Sequence, residues 1–187
     1  MTPRRPLLAA LLLAGCASLD RRVPSVPVPS SLQRGAGDPA TAAIHVTAYV
    51  FGQPQSVAGK PADAADAIAQ LEWLVDNLAT DQRWIPMPAL VLPNMRAGRD
   101  EVRRAFGVPL DLSTTDAVQG FDAAAQALRS FDLVGAGESL GAMVGEDRVG
   151  RALDLLANLP RFPRATFATA EAQRGANEMN RRATMDD

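Results

Sequence analysis

Apolar residues recur at helical spacing through most of the chain. Ile68, Leu71, Leu74, Val75 and Leu78 share one face of a helix predicted over residues 62–79. Pro61 suits its first turn, and Asp63 and Asp66 favour the positive end of its dipole. Trp73 and Trp84 extend that core or border it. The run Ile85-Pro86-Met87-Pro88 marks a connector, and Pro93 is expected to break or kink the apolar stretch 89–92. A second helix fits within 94–106, stopped by Gly107 and Pro109. A third starts near Ser113, which with Asp116 has the form of a capping box. Its apolar face runs through Val118, Phe121, Ala125, Leu128 and Phe131. Residues 135–145 are glycine-rich and read as a loop. Residues 146–159 then form a fourth helix with Val149, Leu153 and Leu156 inward, and 164–183 a polar fifth.

One segment breaks the helical pattern. Residues 44–51 are dense in β-branched and aromatic side chains and end at Gly52 and Pro54, which predicts a short strand. Upstream, residues 16–43 hold alternating prolines (Pro24, Pro27, Pro29) with serines, followed by Gly35, Gly37 and Pro39. This composition predicts an extended tether. The fold class is therefore mainly α. Residues 44–183 form a single domain, a compact bundle of about four to five helices with one short strand at 44–51, and 184–187 are a frayed tail. No internal repeat or sustained heptad is present.

The first residues follow a different logic. Arg4 and Arg5 precede an apolar run from Leu7 to Ala14, which ends at Leu13-Ala14-Gly15-Cys16. A transmembrane helix needs about 20 apolar residues. This run is shorter and is closed by Asp20, Arg21 and Arg22. A positive start, a short apolar stretch and small residues before a cleavage point make a secretory signal. Pro6 directly after the twin arginines favours ordinary secretion over twin-arginine export. The segment resembles the signal peptide and lipobox of bacterial lipoproteins. The resemblance implies removal of residues 1–15 and acylation of Cys16, with the mature chain anchored to a membrane rather than spanning it. Ala17, rather than Asp, after the cysteine implies the outer membrane, periplasmic side, in a cell that has one.

Composition narrows the chemistry. Cys16 is the only cysteine, so its acylation leaves no thiol for a disulfide, a metal or a nucleophile. The chain has 19 basic and 21 acidic residues, and loss of Arg4 and Arg5 deepens the net charge from −2 to −4. That balance argues against a nucleic-acid partner. Lys60 is the only lysine.

Gly137-Glu138-Ser139-Leu140-Gly141 has the form G-x-S-x-G of hydrolase nucleophile elbows. Its base is the difficulty. His45 is the only histidine and precedes the serine, and few strand signals exist to build the required sheet. Gly135, Gly137 and Gly141 miss a dinucleotide fingerprint by one residue and lack the lysine of a phosphate loop. No zinc or calcium ligand spacing occurs, and no cofactor is implied. Arg96, Arg99 and Arg103, with Arg104 beside them, fall at helical spacing as a candidate anion contact.

These readings converge on a non-enzymatic, lipid-anchored binding or scaffolding accessory. Its partners would be the membrane through Cys16 and an envelope protein or cell-wall component; the sequence sets no oligomeric state. The alternatives are a small envelope hydrolase using Ser139 or paired acids of the first and third predicted helices, and a small-ligand carrier. Cells fed a fatty-acid analogue are expected to label the wild-type protein and not Cys16→Ala. Label retained on the alanine variant would refute the anchor.

Overall fold

The protein, described here from a computed structural model covering residues 25–35 and 37–185, is built around one helix that is buried on every side. From Ala64 to Val75 each residue of α3 is buried, including Asp66, Gln70 and Glu72. A helix enclosed all round must occupy the centre of its domain. Eight helices are present among the described residues: α1 (Ser30–Gln33), α2 (Pro39–Gly52), α3 (Pro61–Thr80), α4 (Val91–Phe106), α5 (Thr114–Arg129), α6 (Leu133–Val144), α7 (Val149–Ala157) and α8 (Pro163–Ala183). The α5–α6 hairpin packs on one side of α3. Helices α2, α4 and α8 pack together on the other, and α7 closes the gap between them. No described helix is long and apolar enough to cross a membrane.

The mainly α class holds, with more helices than the sequence pattern implied and no strand among the described residues. The predicted strand 44–51 lies inside α2. Asp38 caps that helix by accepting from the Thr41 N–H at 2.8 Å, and Pro39 occupies its first position. Ala40, Ala43, Ile44, Thr47 and Phe51 are buried at helical spacing, and that burial overrides the strand propensity of the branched residues. Pro93 does not break α4. It is the third helical residue, where the missing N–H would have had no partner anyway. The glycine-rich stretch is helix α6, capped by Asp132, whose Oδ1 accepts from the Gly135 N–H at 2.9 Å.

The described part of the expected tether, from residue 25 on, does not run free. Val26 and Val28 pack against the core, and Pro29 and Leu32 are buried. Ser30 donates from its N–H (2.9 Å) and its Oγ (2.8 Å) to Asp122 Oδ1 of α5, and Gln70 Nε2 donates to Ser31 Oγ at 3.0 Å. Residues 26–33 are thus a strap across the α3–α5 groove.

Two contacts set the helix spacing on the other side. At Gly98 of α4 a Cβ would stand 2.8 Å from the Ala165 Cα, so only glycine allows this approach of α4 to α8. Glu101 Oε2 accepts from the Arg164 and Ala165 N–H groups at 2.8 and 3.1 Å, capping α8 from a neighbouring helix.

The α5–α6 corner is tight and strained. Phe131 N–H donates to Leu128 O and Asp132 N–H to Ala127 O, the paired bonds of a Schellman ending. Phe131 takes the left-handed position (φ 61°) normally given to glycine, at a cost of about 1–2 kcal/mol. It was expected on the inner face of its helix. It is instead 91% exposed, because the helix ends two residues earlier at Arg129.

At the centre, Arg103 of α4 and Glu72 of α3, each 1% exposed, form a two-pronged ion pair. Arg103 Nε and Nη2 donate to the two Glu72 carboxylate oxygens, both at 2.7 Å. Its Nη1 donates to Leu112 O (2.8 Å), Leu110 O (3.3 Å) and Pro109 O (3.4 Å). Removing one partner of a buried pair costs about 3–5 kcal/mol. Arg103→Met is therefore expected to lower unfolding stability by that amount in denaturant titrations. Adding Glu72→Leu should restore the part due to the lone carboxylate and leave the loss due to the three carbonyls. Full recovery in the double variant would show that the carbonyl clamp contributes nothing.

Candidate functional site

The chain's arginines divide into buried and open ones at the end of α4, and the division builds a site. Arg103 is committed to Glu72, so it is not a surface anion contact. Arg99 pairs with its neighbour Asp100 at 2.8 Å, and Arg96 is exposed alone. The anion contact expected from Arg96, Arg99 and Arg103 therefore does not form as a shared surface. Arg104, one residue on, projects from another side of the helix into solvent.

There it meets Arg148 and Arg151. The three arginines line a cleft of about 260 Å³ with Ala105, Phe106 and Gly107 as its floor. Gly107 ends α4 in the left-handed conformation (φ 79°) and accommodates Arg148 directly, since a Cβ here would lie 3.2 Å from Arg148 Cδ. Among the described residues Arg104 and Arg151 have no carboxylate partner within ion-pair distance. Arg148 has only Asp147, at 3.8 Å and largely in water.

The helix starting here adds to the positive field. Arg148 is the N-cap residue of α7 and Arg151 lies in its first turn, and no side chain caps the helix. Cations at a helix N-terminus oppose its dipole. Glu146 and Asp147 just upstream are exposed, and Asp100, Glu101 and Asp154 stand one helical turn from Arg104 or Arg151 without an ion pair to either. Three guanidinium forks around an uncapped helix start suit a carboxylate or phosphate group, which they can grip in two-pronged fashion. Arg104 was legible as a basic helix residue. Arg148 and Arg151, at i, i+3 spacing, were the available signal for the rest, but nothing local shows that they meet Arg104.

The other candidate chemistry resolves differently. Ser139 lies within α6, its Oγ donating to Gly135 O at 2.8 Å. His45 is on α2, facing Gln173 Nε2 of α8 at 3.0 Å. The two helices are not packing partners, so serine and histidine are not brought together. Cys16 lies outside the described residues. A shallow apolar cleft of about 180 Å³, lined by Trp84, Met87 and Leu92 among others, opens where α3 meets α4.

Acids from the first and third predicted helices, α3 and α5, do face one groove. Asp66 pairs with Arg129, which also reaches Asp63 at 3.4 Å, and Asp122 holds Ser30 of the strap and Gln126. Asp66 Oδ1 and Gln70 Oε1 are buried without a hydrogen-bond partner. Burial raises the Asp66 pKa above the ordinary carboxylate value; Arg129 opposes the shift and the Asp122 charge adds to it.

Comparison with protein-family models, curated proteins and solved structures finds no match to this chain.

A carboxyl whose pKa is raised by folding stabilises the fold at pH below its unfolded value of about 3.9 and loses that contribution as pH rises through the folded value. Asp66→Asn removes this titration. The melting temperature of the variant relative to wild type is expected to increase between pH 4 and pH 7. A difference that is constant with pH would show that Asp66 is not shifted upward.

Proposed function

We propose that this chain is a lipid-anchored envelope protein that binds or scaffolds an anionic partner at the periplasmic face of the outer membrane. The observation that carries the reading is the cleft of Arg104, Arg148 and Arg151, three guanidiniums that share one concavity and lack close acidic partners among the described residues. Excess like charge held together is unfavourable unless a counter-charge completes it. The lipobox-like segment ending at Cys16 supports the location. The mild net negative charge of the chain makes the cleft a local feature rather than part of a basic surface.

The anionic group is a carboxylate or phosphate of a cell-wall component or an envelope protein. Ser139 is bonded within its own helix, which leaves the serine form of the hydrolase alternative without a supporting contact.

The probes are isolated cell-wall sacculi, with inorganic phosphate and citrate as soluble ligands. Each charge-assisted hydrogen bond is worth about 1.5–3 kcal/mol, or tenfold and more in affinity. Arg148→Glu with Arg151→Glu is expected to weaken binding at least about tenfold for each arginine reversed, with thermal unfolding unchanged. Arg96→Glu should bind as wild type. Affinity should fall as salt rises. Binding that ignores salt, or that survives the double charge reversal, would refute the cleft as the site.

A further inference from the structure

The α5–α6 corner carries a second binding device on a different part of the surface. Phe131, Leu133 and Val134 are 91%, 66% and 72% exposed, three apolar side chains within four residues at a convex turn. The neighbouring charges are occupied. Asp132 caps α6 through the Gly135 N–H, and Arg129 is held by Asp66 and Asp63. Phe131 closes the turn in a left-handed conformation that glycine would take without strain, so an exposed ring is held at this corner at a conformational cost.

We propose that Phe131, Leu133 and Val134 insert into the lipid surface to which the chain is anchored. The proposal rests on the reading of Cys16 as the lipidated residue. Two features favour a bilayer over a second protein. The three side chains offer a few hundred Å² on a convex tip, whereas stable protein interfaces bury about 800 Å² on each partner. The corner also lies within reach of the anchor. Nine residues lead from Cys16 to Ser25, a span of at most about 32 Å when fully extended. The strap then bonds through Ser30 to Asp122, which precedes Phe131 by nine residues along the hairpin, about 14 Å of helix. A tether this short holds the corner at millimolar effective concentration near the membrane, so shallow insertion of three side chains is enough.

The test does not depend on cellular acylation. The chain from Cys16 onward contains the whole packed body, and Cys16 is its only cysteine. It can be coupled through that thiol to maleimide-headgroup lipid in phosphatidylethanolamine–phosphatidylglycerol vesicles with brominated tails. A Phe131→Trp reporter is compared with Ile85→Trp, which is 80% exposed beyond the far end of α3, and with the unsubstituted chain, whose Trp73 and Trp84 are buried. Apolar faces of interfacial elements reach about 5–10 Å into the boundary, so the residue-131 reporter is expected to shift to the blue and be quenched about twofold or more beyond the residue-85 reporter. Adding Leu133→Ser and Val134→Ser should abolish the effect without lowering the melting temperature.

Water-like emission at position 131 in the tethered vesicles overturns insertion. A concentration-dependent shift without vesicles, and none added by them, overturns it in favour of a second copy of the chain. Fatty-acid labelling of Cys16 in cells reads the anchor separately. Label without quenching removes the corner's role alone. Quenching without label removes the natural anchor and leaves the corner a lipid-seeking element.

Discussion

The Glu72–Arg103 pair decides how the two halves of the molecule meet. Glu72 lies in the one helix buried on all sides, and Arg103 lies near the end of α4. Neither charge could be enclosed alone, because an isolated buried ion costs several kcal/mol even after relaxation. Their mutual two-pronged geometry makes enclosure tolerable, and the remaining guanidinium nitrogen is satisfied by the carbonyls of 109–112. One side chain thus fixes α4 against α3 and folds the following connector back toward both. Such a pair contributes little net stability compared with an apolar replacement. What it contributes here is position, since only one placement of α4 and its connector satisfies every group.

That placement sets the arginine cleft. With Arg103 directed inward, Arg104 must project from another side of the helix, about 100° away at 3.6 residues per turn. Gly107 then ends α4 in a conformation that leaves room for the stem of Arg148. The exposed chemistry therefore follows from the buried chemistry one residue earlier. The strap acts similarly on the other face. Ser30 and Ser31 bind Asp122 and Gln70 across the α3–α5 groove, so the start of α1 is fixed to the body.

Much of the helical frame was legible because burial and period agree. In α3 the apolar spacing, Pro61 and Asp63 all point to the same helix, and the Ser113–Asp116 cap forms as its spacing implies, with the Asp116 N–H donating to Ser113 Oγ at 3.1 Å. The failures occur where local preference and tertiary burial disagree. Residues 44–51 favour a strand by composition, yet their buried set extends a helical period that starts at Ala40. Glycines 135, 137 and 141 suggest a loop, yet α6 forms through them, with Gly137 and Gly141 lying against Val149 of α7. The candidate site was less legible still. Arg103 and Arg104 are chemically identical neighbours, and which one is buried depends on Glu72, 31 residues away. Arg148 and Arg151 join Arg104 only through the packing of α6 and α7.

Helix α6 relates the two surface features. Its first turn carries Leu133 and Val134 beside Phe131, and Arg148 follows shortly after its last residue, Val144. Twelve helical residues span about 18 Å, while the headgroup layer of one leaflet is only about 5–8 Å thick. An apolar corner at the start of α6 and arginines just beyond its end are poorly suited to binding the same ligand. If the apolar corner enters lipid with α6 upright, the arginines stand beyond the headgroups, where cell-wall or protein carboxylates are the available anions. If the arginines instead grip headgroup phosphates, the corner is lifted out of the bilayer. With α6 upright the two placements exclude each other, and the depth of residue 131 in a tethered vesicle then bears on which anions the cleft can reach. On the proposed Cys16 anchor, the packed strap leaves nine residues leading from Cys16 to Ser25, at most about 32 Å of chain, so the body would stay near the membrane surface where this choice has a physical consequence.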